Sequence, residues 1–119
     1  MDPLKFYKAL ADDTRLRCLL LIAQEGELCV CELTQALDEV QPKISRHLAQ
    51  LRNAGVLSDR RQGQWIFYQL SAVLPDWARG VIQQTNSQNP QFIQTNLQRL
   101  SAMGARPVRA EQCCQQSGS

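Results

Sequence analysis

The chain has 119 residues, 44% of them hydrophobic and 20% charged, with a formal net charge of +2. That length holds one compact core, and the composition is that of a globular domain rather than a disordered or fibrous chain. The longest apolar run, Cys18 to Ala23, falls far short of the roughly 20 residues that span a bilayer. The amino terminus lacks the apolar stretch of an export signal, so a cytoplasmic protein is expected.

In that compartment thiols stay reduced, and five cysteines read as ligands or reactive groups rather than as a disulfide frame. The small net charge hides a segregation. Between Gln41 and Trp65, Lys43, Arg46, Arg52, Arg60 and Arg61 stand against Asp59 alone, while Glu25 to Glu39 holds five acids and no Lys or Arg. A positive field focused on one segment points to a polyanionic partner.

The first element is a short helix over Leu4 to Leu10, with Leu4, Phe6, Tyr7 and Leu10 on a face that needs a docking surface. Asp13 or Thr14 caps a second helix whose Leu16, Leu19, Leu20 and Ala23 face inward, and Gly26 ends it. Cys18 lies within that helix and reads as a small buried hydrophobe. In ELCVCELTQALDEV, a third helix is expected with Val30, Leu33, Ala36 and Leu37 on its apolar side, closed by a turn at Asp38-Glu39.

The stretch QPKISRHLAQLRNAGVL, Gln41 to Leu57, carries a complete helix. Pro42 suits its first turn, Gly55 its left-handed stop, and Ile44, Leu48 and Leu51 its buried stripe. Gln41, Lys43, Ser45, Arg46 and Gln50 remain on other faces, and these are side-chain types that reach phosphates and major-groove base edges. Two short helices joined by a tight turn, the second cationic, make a helix-turn-helix.

Past Gly55 the period becomes twofold: Val56 to Arg61, a turn at Gln62-Gly63, then Gln64 to Leu70. This is a hairpin whose tip carries Arg60, Arg61, Gln62 and Gln64, a basic ribbon suited to the DNA backbone or minor groove. The fold class is therefore mainly α with a two-stranded β-hairpin wing, a winged helix-turn-helix. Ser71 and Pro75 open a further helix with Val73, Leu74, Trp77, Val81 and Ile82 on its apolar side. After Asn89-Pro90, a last helix carries Phe92, Ile93, Leu97 and Leu100. A small winged core cannot bury all of these faces together with Leu4, Phe6 and Tyr7, so a homodimer is expected. Residues 1–103 form one DNA-binding and dimerisation domain, and 104–119 a flexible tail containing Cys113 and Cys114. No glycine-rich phosphate loop, paired carboxylates or nucleophile-and-base set is present, which argues against an enzyme.

The stretches QPKISRHLAQLRNAGVL, ELCVCEL and DRRQGQWIFYQL together resemble the ArsR/SmtB family of metal-sensing repressors, and CVCEL resembles its arsenic-responsive branch. The resemblance implies a dimeric winged helix that sits on inverted-repeat operator DNA and leaves it when As(III) or Sb(III) binds as inducer, with no organic cofactor. Cys29 and Cys31 are then the central ligands, since thiolates select soft and thiophilic ions. That branch often carries a third cysteine three residues further on, where this chain has Thr34. The remaining bond falls to Cys113 or Cys114, to Cys18, or to an exogenous thiol or hydroxide, and the tail is favoured for its reach.

Residues two apart on an α-helix point about 200° away from each other. To hold one ion, the start of the third helix must therefore unwind or stay extended. Distortion there would alter the spacing of two reading helices tuned to half-sites about 34 Å apart. Two other switches remain open: a thiol redox sensor, and a cadmium or zinc sensor using Cys29, Cys31, Cys113 and Cys114. The one histidine, His47, reads as a hydrogen-bonded helix residue.

Overall fold

A computed structural model describes residues 1–104, and Cys113 and Cys114 lie outside the described residues. The first helix, α1 (Pro3–Leu10), starts where Asp2 accepts a hydrogen bond from the Leu4 amide at 3.1 Å. The second, α2 (Asp13–Glu25), is capped by Asp12 and not by Asp13 or Thr14. Asp12 has the extended backbone a cap requires, and its carboxylate accepts from the Arg15 amide at 3.0 Å. Gly26, at φ 91°, ends the helix as expected.

A two-residue strand, β1 (Leu28–Cys29), leads directly into α3 (Val30–Leu37). The helix-turn-helix corner follows at Asp38, held left-handed at φ 53°. There the amides of Asp38 and Glu39 bond back to the carbonyls of Gln35 and Thr34. Then comes α4 (Gln41–Asn53), the second helix of the motif, with Ile44, Leu48 and Leu51 fully buried. It ends in the same kind of motif: Gly55 takes φ 81°, and Val56 N–H reaches the Leu51 carbonyl at 3.0 Å.

The wing consists of β2 (Leu57–Gln62) and β3 (Trp65–Leu70), whose register pairs Gln62 with Trp65. Gly63 and Gln64 therefore form the two-residue turn, one residue later than the spacing suggested. Only Gly63 takes positive φ, as in turns with glycine at the first central position. The sheet has three antiparallel strands rather than two, in the order β1-β3-β2. The extra strand exists because Leu28 and Cys29 pair with Tyr68 and Phe67 on the free edge of β3.

Last come α5 (Asp76–Gln88), a 3-10 turn at Pro90–Ile93, and α6 (Gln94–Ala102). The buried face of α5 is Ala78 and Ile82; Val73 and Trp77, expected to face inward, are 86% and 42% exposed. Phe6, conversely, is wholly buried within the single chain, with Trp77 meeting it edge-on at 5.1 Å between ring centroids. The core gathers Phe6, Leu19 to Ile22, Leu33, the α4 stripe, Ile82, Ile93 and Leu100. No helix among the described residues is long and apolar enough to cross a membrane.

Candidate functional site

The Cys29 and Cys31 sulfur atoms lie 3.2 Å apart, and both residues are buried. Two local choices bring them together. Cys29 sits in the extended backbone of β1 at φ −89°, ψ 166°, while Cys31 belongs to the first turn of α3. The pair straddles a strand-to-helix junction, so the helical 200° separation does not apply and α3 has nothing to unwind. Of the two routes set out from spacing, the structure has the extended one.

The junction is fixed by a capping box. Glu32, fully buried, accepts from the Cys29 amide at 2.9 Å. A helix N-terminus also favours negative charge, which suits thiolates placed there. Thr34, where a third cysteine was looked for, donates its hydroxyl to the Val30 carbonyl at 2.8 Å. Cys18 lies in the main core, apart from the cluster that holds this pair, and burial pushes its thiol up to about 12.

Around the two cysteines pack Phe67, Trp65 and Met103. Met103 follows α6 directly, so the chain leaves the described residues beside the cysteine pair. Phe67 is also the link to the wing. Its register partner on β1 is Cys29 and on β2 is Arg60, whose guanidinium lies 4.8 Å from the Phe67 ring centre. Arg60 bonds both carboxylate oxygens of Glu27, at 2.7 and 3.0 Å, and donates to Gln62 at 2.7 Å. The spacing made Arg60 part of a projecting ribbon; the structure ties it to the segment just before Cys29. Arg61, Gln62 and Gln64 are exposed at the tip.

On α4, Gln41, Arg46 and Gln50 are exposed, and Lys43 and Ser45 half-buried. Lys43 pairs with Glu39 at 2.9 Å. Gln50 is held from α2: Arg15 donates to its side-chain oxygen at 2.7 Å and to the Ala9 carbonyl at 2.7 Å. His47 Nδ1 lies 3.3 Å from Arg15 and 3.2 Å from that same Gln50 oxygen. A single tautomer satisfies one of these contacts and not both. Asp12 completes the group, 3.8 Å from His47. Its hydrogen bond from the Arg15 amide, aided by the nearby His47 and Arg15 charges, holds its carboxyl below the usual range.

Behind the reading motif, α6 grips α3. Asn96, buried, donates to the Ala36 carbonyl at 2.9 Å and accepts from Arg17 at 3.1 Å, and Arg99 adds a bond to the same carbonyl at 3.3 Å. Sequence reasoning missed β1, Glu32, Phe67, Arg15 and Asn96. For Glu32 a signal existed, an acid three residues after the junction residue, which is capping-box spacing.

The family model described as bacterial regulatory protein, arsR family, matches residues 12–59. The arsenic resistance transcriptional regulator ArsR2 of Pseudomonas putida is 54% identical over 114 residues, covering 96% of this chain and 99% of that protein. The arsenical resistance operon repressor of Escherichia coli is 49% identical over 105 residues, covering 86% of this chain and 90% of that protein. Among solved structures, HlyU from Vibrio cholerae matches with a TM-score of 0.66 at 32% identity, over 74% of this chain and 91% of HlyU. With a winged helix-turn-helix and relatives of this similarity along nearly its whole length, the chain belongs to the arsR family of bacterial regulatory proteins.

Proposed function

We propose that the protein is an As(III)- or Sb(III)-responsive transcriptional repressor, acting in the cytoplasm, that binds operator DNA as a homodimer and leaves it when cysteine thiolates bind the metalloid. The observation that carries this is the buried Cys29–Cys31 pair, with sulfur atoms 3.2 Å apart at the head of the first helix-turn-helix helix. The donor set fits the ligand: two thiols that converge without rearrangement suit a thiophilic centre and not a hard cation. Cys29 and Cys31 would hold the metalloid as thiolates, and exchange of its hydroxides for sulfur would release water.

Cys29 and Cys31 supply two ligands, and Cys113 or Cys114 the third. The position of Met103 supports this, because a chain that starts beside the pair has ten residues to reach back, up to roughly 33 Å when extended. Glu32 holds the Cys29 backbone in place, so an ion added at the sulfurs presses on the side chain packed against them, Phe67, rather than on a fraying helix end. Phe67 passes that displacement to Arg60 and the wing. Gln41, Lys43, Ser45, Arg46, Gln50, Arg61, Gln62 and Gln64 form the DNA face, with Arg60 joining when Glu27 releases it. The homodimer reading rests on an aromatic patch left on α1 and α5, where Leu4, Tyr7 and Trp77 are 60%, 51% and 42% exposed and Tyr7 and Trp77 touch.

The test is fluorescence anisotropy of the reduced protein on the DNA upstream of its own gene, titrated with arsenite, antimonite, cadmium, zinc and peroxide in parallel. Release by arsenite or antimonite at concentrations where the others do nothing supports the reading. Release by peroxide reversed by dithiol, with indifference to arsenite, would replace it with a redox switch; cadmium or zinc release alone would make it a divalent-metal sensor.

A further inference from the structure

Gln50 shares a helical face with Lys43 and Arg46, at spacings of seven and four residues, and is exposed on it. A glutamine at a DNA interface ordinarily offers an acceptor and a donor side by side, which matches the N7 acceptor and N6 amine of adenine. Here the acceptor is already engaged. Arg15 has only donors, so the short 2.7 Å contact with Gln50 requires the carboxamide oxygen to face α2 and leaves the amide nitrogen as the outward group. Arg15 is itself anchored from three sides, by the Ala9 and Lys8 carbonyls and by its own amide on Asp12. Nothing on α4 has to move for this arrangement to persist against DNA.

We propose that Arg15 is a positioning residue for sequence readout: by occupying the Gln50 oxygen it makes Gln50 a donor-only reader, selecting guanine or thymine and disfavouring adenine. This rests on the DNA-reading role of α4 proposed above. Guanine presents two acceptors, N7 and O6, and thymine one, O4, whereas adenine offers N7 beside an N6 amine that opposes the second Gln50 proton, which makes it the weaker partner. For guanine, which offers two acceptors, the discrimination expected against adenine is about 5-fold.

The experiment is selection of duplexes with randomised half-sites by the full-length reduced protein and by Gln50→Ala, Gln50→Glu and Arg15→Met. Gln50→Ala should make one base pair per half-site degenerate, and wild type should hold guanine or thymine there. Arg15→Met frees the oxygen and should shift that position alone toward adenine, about 5-fold or more, with Lys43- and Arg46-dependent positions and half-site spacing unchanged. Gln50→Glu keeps the bridge to Arg15 while turning an acceptor outward, so it should select cytosine, and it remains informative if Arg15→Met does not fold. Adenine at the Gln50 position in wild type, or an unchanged profile in both Gln50 variants, would overturn the inference while leaving DNA binding intact. Failure of every variant to enrich any duplex would overturn the DNA-reading role with it.

Discussion

The guanidinium of Arg60 lies 4.8 Å from the centre of the Phe67 ring, and Phe67 is at once the cross-strand partner of Cys29 and a wall of the cysteine pair. One aromatic side chain of the wing therefore touches both the cysteine pair and Arg60. The β1·β3 pairing makes the route short, since the cysteine strand is separated from the wing's outer strand by β3 alone.

Under the proposed function Glu27 competes with DNA for Arg60, so Glu27→Gln should release it. Because the ion pair is exposed, Tm should hardly move. DNA affinity should rise at low salt, and the slope of log K against log salt should steepen by up to about one unit per protomer as Arg60 gains a phosphate. Anisotropy across a salt series reads both. Unchanged affinity and slope would place Arg60 outside the DNA contact.

Asn96→Ala should destabilise the fold by about 1–3 kcal/mol in urea unfolding, because a buried amide bonded to the Ala36 carbonyl and to Arg17 is lost and leaves partners unsatisfied. Arg99, which bonds the same carbonyl, softens the loss. A change below about 0.3 kcal/mol would mean that α6 does not brace α3 through this contact.

Asp12 links acid sensitivity to the reading helix. Its folded pKa is depressed, so its contribution to stability is fully present above the unfolded value of about 4 and is lost as pH falls through the lower folded value. Asp12→Asn retains an oxygen to cap α2 but has no carboxylate to protonate. Its stability at pH 7 should lie slightly below wild type, and the gap should close as pH falls below the unfolded value in urea melts. A gap that stays constant with pH would remove Asp12 from the acid response.

Much of this arrangement is legible in the sequence. The stripe Ile44, Leu48, Leu51 and the stops at Gly26 and Gly55 are strong local signals, because helical period and left-handed backbone leave few alternatives. The hairpin, too, follows from alternation, with its turn misplaced by one residue. What stayed hidden was tertiary. β1 is two residues long, too short to show a twofold period, and exists only because β3 has an edge to fill. Arg15 looks like any cation near a helix start until α4 brings Gln50 within reach, 35 residues away. Phe67 reads as one more alternating wing residue, and the CxC spacing alone could not say that a strand-to-helix junction would let the sulfurs meet.

Cys18 should be a bystander. With its thiol held in the core and raised to about 12, it should resist iodoacetamide in native protein at pH 8 and react only on unfolding. Cys18→Ala should respond to arsenite at the same concentration as wild type. Native-state alkylation of Cys18, mapped by mass spectrometry, or a lost response, would bring it back as a ligand.

In the proposed function, Cys29 and Cys31 are the site through which a metalloid lifts the protein from DNA. The measurement is arsenite titration of the preformed complex with upstream DNA, for wild type, Cys29→Ser/Cys31→Ser and Cys113→Ser/Cys114→Ser, followed by anisotropy at matched concentrations. Wild type should release DNA, the Cys29/Cys31 variant should bind DNA normally and stay bound at every arsenite concentration, and the tail variant should need more arsenite. Release of the Cys29/Cys31 variant at the wild-type arsenite concentration would contradict the account.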